Sequence, residues 1–279
     1  MLTRVGVKMI ILKIGGSIIT EKDSKEPKVD YKNLNRICNE IKESFSTENI
    51  NADLMDGLVI VHGAGSFGHP PASEYKIGQP FSNEEFPEKR IGFAKTQSAV
   101  KELNTYVCNA LIEHGLPAVS MQVSSFVTTS DKRIYDFDLE FIKNYLNNGF
   151  IPILYGDPVL DEKYKMAILS GDQILQYVAR FLVSDRVVLG TDVDGVYDKN
   201  PKTHDDAKLI EEVTSIEEII QVESTTNIDV TGGMVGKVNE LLSLAEIGVD
   251  SEIINANRPG AIGDALQNKK VKGTKITKK

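Results

Sequence analysis

The sequence predicts an α/β fold, a three-layer αβα sandwich around an open, mostly parallel sheet. Apolar runs of strand length alternate with segments of helical period, the rhythm of parallel strands joined by crossover helices. The strand runs are continuously apolar rather than alternating, as strands covered on both faces are. Glycine follows most of these runs, and in such sheets ligands sit beyond the C-terminal ends of the strands. At 279 residues and 41% hydrophobic content, the chain can build a sizeable core without metals or disulfides.

Strands are expected at residues 9–14, 58–61, 118–122, 151–155, 186–189 and 252–255, with a short last strand in the lysine-rich tail. Leu34, Ile37, Cys38, Ile41 and Phe45 share one face of a first helix, with Asp30 near its cap. Val100, Leu103, Val107 and Leu111 mark a second, ended by Gly115. A third covers about 138–148, a fourth starts near Gly171, and a fifth covers about 233–247. The length suits one large α/β domain or two lobes sharing a sheet.

A net charge of −8 argues against a broad surface for nucleic acid or anionic membrane. No stretch of about 18 apolar residues occurs, so no transmembrane helix is expected. The first apolar run is broken by Lys13 and reads as a buried strand rather than a signal peptide; Met9 is an alternative start. Cys38 and Cys108 fall at apolar helical positions and read as core thiols in a reducing cytoplasm.

Two separated sets of glycine loops carry lysines beside them, which is what phosphoryl transfer needs: phosphates held by backbone amides and charge neutralised. The first is KIGGS, with Lys13, Gly15, Gly16 and Ser17, followed by Lys22. The second, VHGAGSFGHPP, contains Gly63, Ala64, Gly65, Gly68 and His69. Its prolines are read as breaking any immediate strand-to-helix turn, which argues against a dinucleotide fold. YGD follows with Gly156, then SGDQ with Asp172. TDVDGVYDKNPK contributes Thr191, Asp192, Tyr197, Lys199 and Lys202, and TGGMVGK contributes Gly233 and Lys237. No GxxxxGK[ST] motif is present, so this is not a P-loop protein. Asp192 and Asp194 have the spacing of a metal pair, but turn and nucleotide contacts are the favoured reading, and no protein metal site is expected. His62 reads as a satisfied structural histidine, and His114 as a helix-end residue.

These motifs, in this order from about Met9 to about Ile276, resemble the isopentenyl phosphate kinases of the amino acid kinase superfamily. The histidine closing the second loop points to that branch. The resemblance implies ATP-dependent phosphorylation of isopentenyl phosphate to the diphosphate, with Mg²⁺, in a cytoplasmic homodimer. It implies an N-terminal lobe for the acceptor, residues 1–169, and a C-terminal lobe for ATP, residues 170–279, in one continuous sheet. Lys13, Lys22, His69, Asp172 and Lys237 match the family's catalytic set, with Lys22 stabilising the transition state and Asp172 orienting the lysines. Gly63, Gly68, His69 and Gly156 match acceptor contacts. Lys13, Gly15, Gly16, Ser17, Ala64, Gly65, Thr191, Asp192, Tyr197, Lys199, Lys202, Gly233 and Lys237 match ATP contacts. Ile91, Phe93, Phe126 and Ile134 are candidates to line an apolar tail pocket or to be ordinary core. A fosfomycin kinase shares the histidine logic, and a catalytically silent nucleotide-binding regulator is the alternative from another class.

Overall fold

The computed structural model of the protein describes residues 9–21, 26–45, 57–217, 219 and 232–279. Its main sheet has eight strands in the order β12-β14-β13-β9-β1-β2-β6-β3. These are β1 Ile10–Ile14, β2 Leu58–His62, β3 Ala118–Ser120, β6 Ile151–Tyr155, β9 Arg186–Thr191, β12 Glu212–Val213, β13 Asp250–Asn255 and β14 Gly273–Ile276. Neighbours pair in parallel except β13 with β14. All six apolar runs read from the sequence are strands of this sheet, and the tail supplies β14.

The helices are α1 Gly16–Ile19, α2 Tyr31–Phe45, α3 Gly65–Glu74, α4 Phe86–Glu113, α5 Glu140–Asn147, α6 Gly171–Phe181, α7 Gly232–Ala245 and α8 Ala261–Leu266. Side chains alternate along β1, so its two faces meet different layers. Ile10, Leu12 and Ile14 pack with the buried faces of α2, α4 and α8. Ile11 packs with α5, α6 and α7. Lys13 shares the parity of Ile11, which aims it at the α6 layer. Asp30 caps α2, its Oδ1 accepting from the Asn33 N–H at 2.9 Å.

Four parts of the fold depart from the expectation. A four-stranded sheet, β5-β4-β7-β8, lies between β3 and α6 in sequence: β4 Val127–Ser130, β5 Arg133–Phe137, β7 Asp157–Asp161 and β8 Lys165–Leu169. Its strands are short and mixed in polarity, so none stands out as an apolar run. The hairpin β10 Val196–Tyr197 with β11 Leu209–Ile210 lies beyond β9.

The second glycine loop is also shorter than expected, because α3 starts at Gly65 and continues through Pro70 and Pro71. Proline's fixed φ suits a helix, and its cost lies in lost hydrogen bonds and crowding. Here both rings sit near the surface of a ten-residue helix, and the chain closes it through Tyr75 N–H donating to Pro71 O at 3.1 Å. Finally, α4 begins at Phe86, well before its strongly periodic part, with Pro87 in its first turn where no donor is needed.

Candidate active site

Parallel register brings three strand ends to one edge, with Ile14 beside His62 on one side and Gly190 on the other. The Gly15 N–H donates to Gly190 O at 2.9 Å, Gly63 N–H to Ile14 O at 3.0 Å, and Gly156 N–H to His62 O at 3.2 Å. The two loops then meet backbone to backbone at their glycines. A Cβ on Gly63 would lie 2.6 Å from the Gly16 nitrogen, and one on Gly16 would overlap the Gly65 nitrogen. Gly65 adopts φ +52°, a conformation that favours glycine. Thr20 fastens the junction: its Oγ1 donates to Gly16 O at 2.9 Å and accepts from the Ser66 N–H at 3.2 Å.

The cradle therefore joins α1, which begins at Gly16 with Ser17 in its first turn, to the N-terminus of α3 at Ala64 and Gly65. First-turn amides have no partner within their helix and carry the positive end of its dipole, so this edge favours anions. His69 stands one turn into α3 and is exposed. Gly68 has a different reason to be glycine: a Cβ there would meet Ala64 Cβ and Val100 Cγ1, each at 2.6 Å, so it lets α3 pack on α4.

Lys13 is 4% exposed at the end of β1. Its Nζ donates to Asp172 Oδ1 at 2.7 Å, and Lys237 Nζ lies 3.8 Å from Oδ2 of the same carboxylate. Burial lowers the Lys13 pKa, Asp172 opposes that, and the Lys237 charge adds to it. The cap of α6 is Ser170, whose Oγ accepts from the Gln173 N–H, so Asp172 is left to hold the lysines. Lys237 is further steered by donating to Gly233 O at 3.0 Å within the first turns of α7. Lys22 lies outside the described residues.

Beside this triad opens a cleft of about 180 Å³ that continues into open solvent. Thr191, Asp192, Tyr197, Lys199 and Lys202 line it from one side, and Gly233 and Lys237 from the other. Lys202 pairs with Asp192 at 2.7 Å, and Lys199 pairs with Asp206. Asn200 and Met234 also line the cleft; sequence reasoning passed over them because neither carries charge or a glycine signal.

His62 is structural, as its sequence context suggests. It is fully buried and stacked on Tyr155, its Nδ1–H donates to Gly63 O, and its Nε2 accepts from Asn104 Nδ2 at 3.0 Å. Burial pushes its pKa down to about 4. Asn104 was missed, because it lies inside a helix with no local signal.

Of the tail-pocket candidates, Ile91 and Phe93 lie on α4, while Phe126 precedes β4 and Ile134 lies in β5. Ile91 is 57% exposed on α4, while Phe126 and Ile134 pack on the core layer of α5 to α7. Cys38 and Cys108 are free and buried. Among the described residues, no helix is long and apolar enough to cross a membrane.

A sequence profile described as the amino acid kinase family matches residues 8–255. An isopentenyl phosphate kinase of Methanothermobacter thermautotrophicus is 51% identical over 97% of this chain and 100% of its own. One from Methanocaldococcus jannaschii is 36% identical over 96% of this chain and 98% of its own. A solved isopentenyl phosphate kinase structure superimposes with a TM-score of 0.85 at 48% identity, covering 96% of this chain and all of the other.

Proposed function

Because the chain belongs to the amino acid kinase family, and within it to the isopentenyl phosphate kinases, we propose that it transfers the γ-phosphoryl group of ATP to isopentenyl phosphate. An acceptor phosphate oxygen forms the new bond to the γ-phosphorus as the bond to the β–γ bridging oxygen breaks, giving isopentenyl diphosphate and ADP. A phosphate oxygen is already deprotonated at neutral pH, so no general base is required. Catalysis reduces to alignment and charge neutralisation.

The observation that carries this reading is the triad of Lys13, Asp172 and Lys237 placed where the two glycine loops meet. Lys13 reaches the transferred phosphoryl group from a site where its charge is little screened. Gly15, Gly16, Ser17, Ala64 and Gly65 present amides to it. Gly63, Gly156 and His69 take the acceptor phosphate, and Gly68 seats the helix that carries His69. The cleft from Thr191 to Lys202 takes the nucleotide, with Lys237 at its phosphates. Lys22 supplies further positive charge to the transition state.

The acceptor lobe is residues 1–169 and the ATP lobe 170–279. The strand order supports this division, since β1 has β2 on one side and β9 on the other, a topological switch point. Mg²⁺ accompanies the reaction. The ion travels with the ATP phosphates, as Mg²⁺ bound mainly through substrate phosphates does, and Asp172 holds two lysines. We place the enzyme in the cytoplasm as a homodimer; two buried free thiols fit a reducing compartment.

The test is ADP release with ATP, Mg²⁺ and a panel of acceptors. Turnover with isopentenyl phosphate at low concentration supports the reading. Turnover only with fosfomycin, or ATP binding without turnover on any acceptor, contradicts it.

A further inference from the structure

Asp194 lies in the loop between β9 and β10, is 5% exposed, and does not line the cleft. Its neighbours Val193 and Gly195 do, as does Tyr197. Four side chains converge on its carboxylate. Arg258 donates from Nε to Oδ1 at 2.6 Å and from Nη2 to Oδ2 at 2.7 Å. Lys272 reaches Oδ2 at 2.7 Å, and Asn255 Nδ2 donates to Oδ1 at 3.1 Å. The Tyr197 hydroxyl donates to Oδ2 at 3.1 Å.

Three of these donors come from the far end of the chain: the end of β13, the turn before α8 and the segment before β14. Desolvation alone would raise the Asp194 pKa, but the donors win and hold it well below the usual carboxylate range. The same loop is pinned at a second point, where the Val196 N–H donates to Thr274 Oγ1 at 2.8 Å. Bidentate pairing with arginine fixes orientation as well as distance.

We propose that Asp194 is a positioning residue for the nucleotide: it holds the Tyr197 wall of the cleft against β13, α8 and the segment before β14 without touching the nucleotide. The inference rests on the reading of that cleft as the ATP site.

Asp194→Asn keeps the shape but removes the charge that orders four donors, and Tyr197→Phe removes only the hydroxyl that links wall to carboxylate. The KM for ATP should rise about tenfold in Asp194→Asn, the size of a lost charge-assisted hydrogen bond. The kcat and the KM for isopentenyl phosphate should stay within about twofold, since a loosened nucleotide wall leaves transition-state alignment intact. The double variant should raise the KM for ATP by less than the product of the two single effects, because both break the same link.

An unchanged or lower KM for ATP in Asp194→Asn overturns the inference, as does an equal loss on both substrates or strict additivity. If Asp194→Asn fails to fold, Tyr197→Phe alone decides, with a severalfold rise in the KM for ATP expected and no change overturning the proposal. A parent protein whose rate does not saturate with ATP overturns the nucleotide reading and this inference together. A parent that saturates while the variants match it overturns this inference alone.

Discussion

Replacing Asp157 by asparagine should stabilise the protein at pH 8 and not at pH 4. Asp157 is 1% exposed at the start of β7; one oxygen accepts from the Ser124 N–H at 3.0 Å and the other has no partner. Burial pushes its pKa up to about 6 from an ordinary 3.8, against the pull of Ser124 and Lys101. At about 1.4 kcal/mol per tenfold change in proton affinity, that rise costs the ionised fold about 3 kcal/mol.

The sign follows from the direction. With a folded pKa above the unfolded one, stability is fully present below about pH 4 and is lost as pH rises through about 6. Asparagine keeps the acceptor for Ser124 but weakens that bond by about 1 kcal/mol, leaving a net gain of about 2 kcal/mol at pH 8. Urea unfolding of parent and variant at both pH values measures it, because their difference cancels every other titrating group. A gain at pH 8 that vanishes or reverses at pH 4 is expected. A difference independent of pH would refute the reasoning.

Gly16→Ala should lower kcat/KM by about 100-fold, because backbone cannot yield to the new methyl as a side chain would. Gly15→Ala, whose Cβ would sit 3.2 Å from Gly190 O, should be far milder in the same steady-state assay. Asp172→Asn strips the buried Lys13 of its counter-charge. Its kcat should fall by about 100-fold, and the alkaline limb of the pH–rate profile should move to lower pH as Lys13 deprotonates more easily. His69→Ala should raise the KM for isopentenyl phosphate by about 10- to 100-fold, with ATP affinity by equilibrium titration little changed; equal losses would remove His69 from the acceptor side.

The main sheet was legible because strands buried on both faces must be apolar at every position, as IILKI and LVIVH show. The exception within such a run, Lys13, was legible for the same reason: an amine placed there needs a partner. Its partner was half legible. SGDQ marks a helix start, but only the fold shows that Ser170 does the capping and frees Asp172.

Other features carried no local signal. Helix α3 was hidden by two prolines that a short surface helix tolerates. The β4-β5-β7-β8 sheet was hidden by strands such as VTTS and DPVLD, whose polar residues mask their pairing. Gly68 looked like part of a phosphate loop, yet its neighbours are the Ala64 and Val100 side chains. The ties to Asp194 from Asn255 and Arg258 span more than sixty positions, so nothing near TDVDG announces them.

The central claim is that the acceptor arrives already phosphorylated and leaves as a diphosphate. The most direct measurement is ³¹P NMR of the product formed from isopentenyl phosphate and ATP with Mg²⁺. Loss of the monophosphate signal and two coupled diphosphate resonances, in step with ADP, are the expected result. Formation of ADP with the isopentenyl phosphate signal unchanged and inorganic phosphate rising would contradict it.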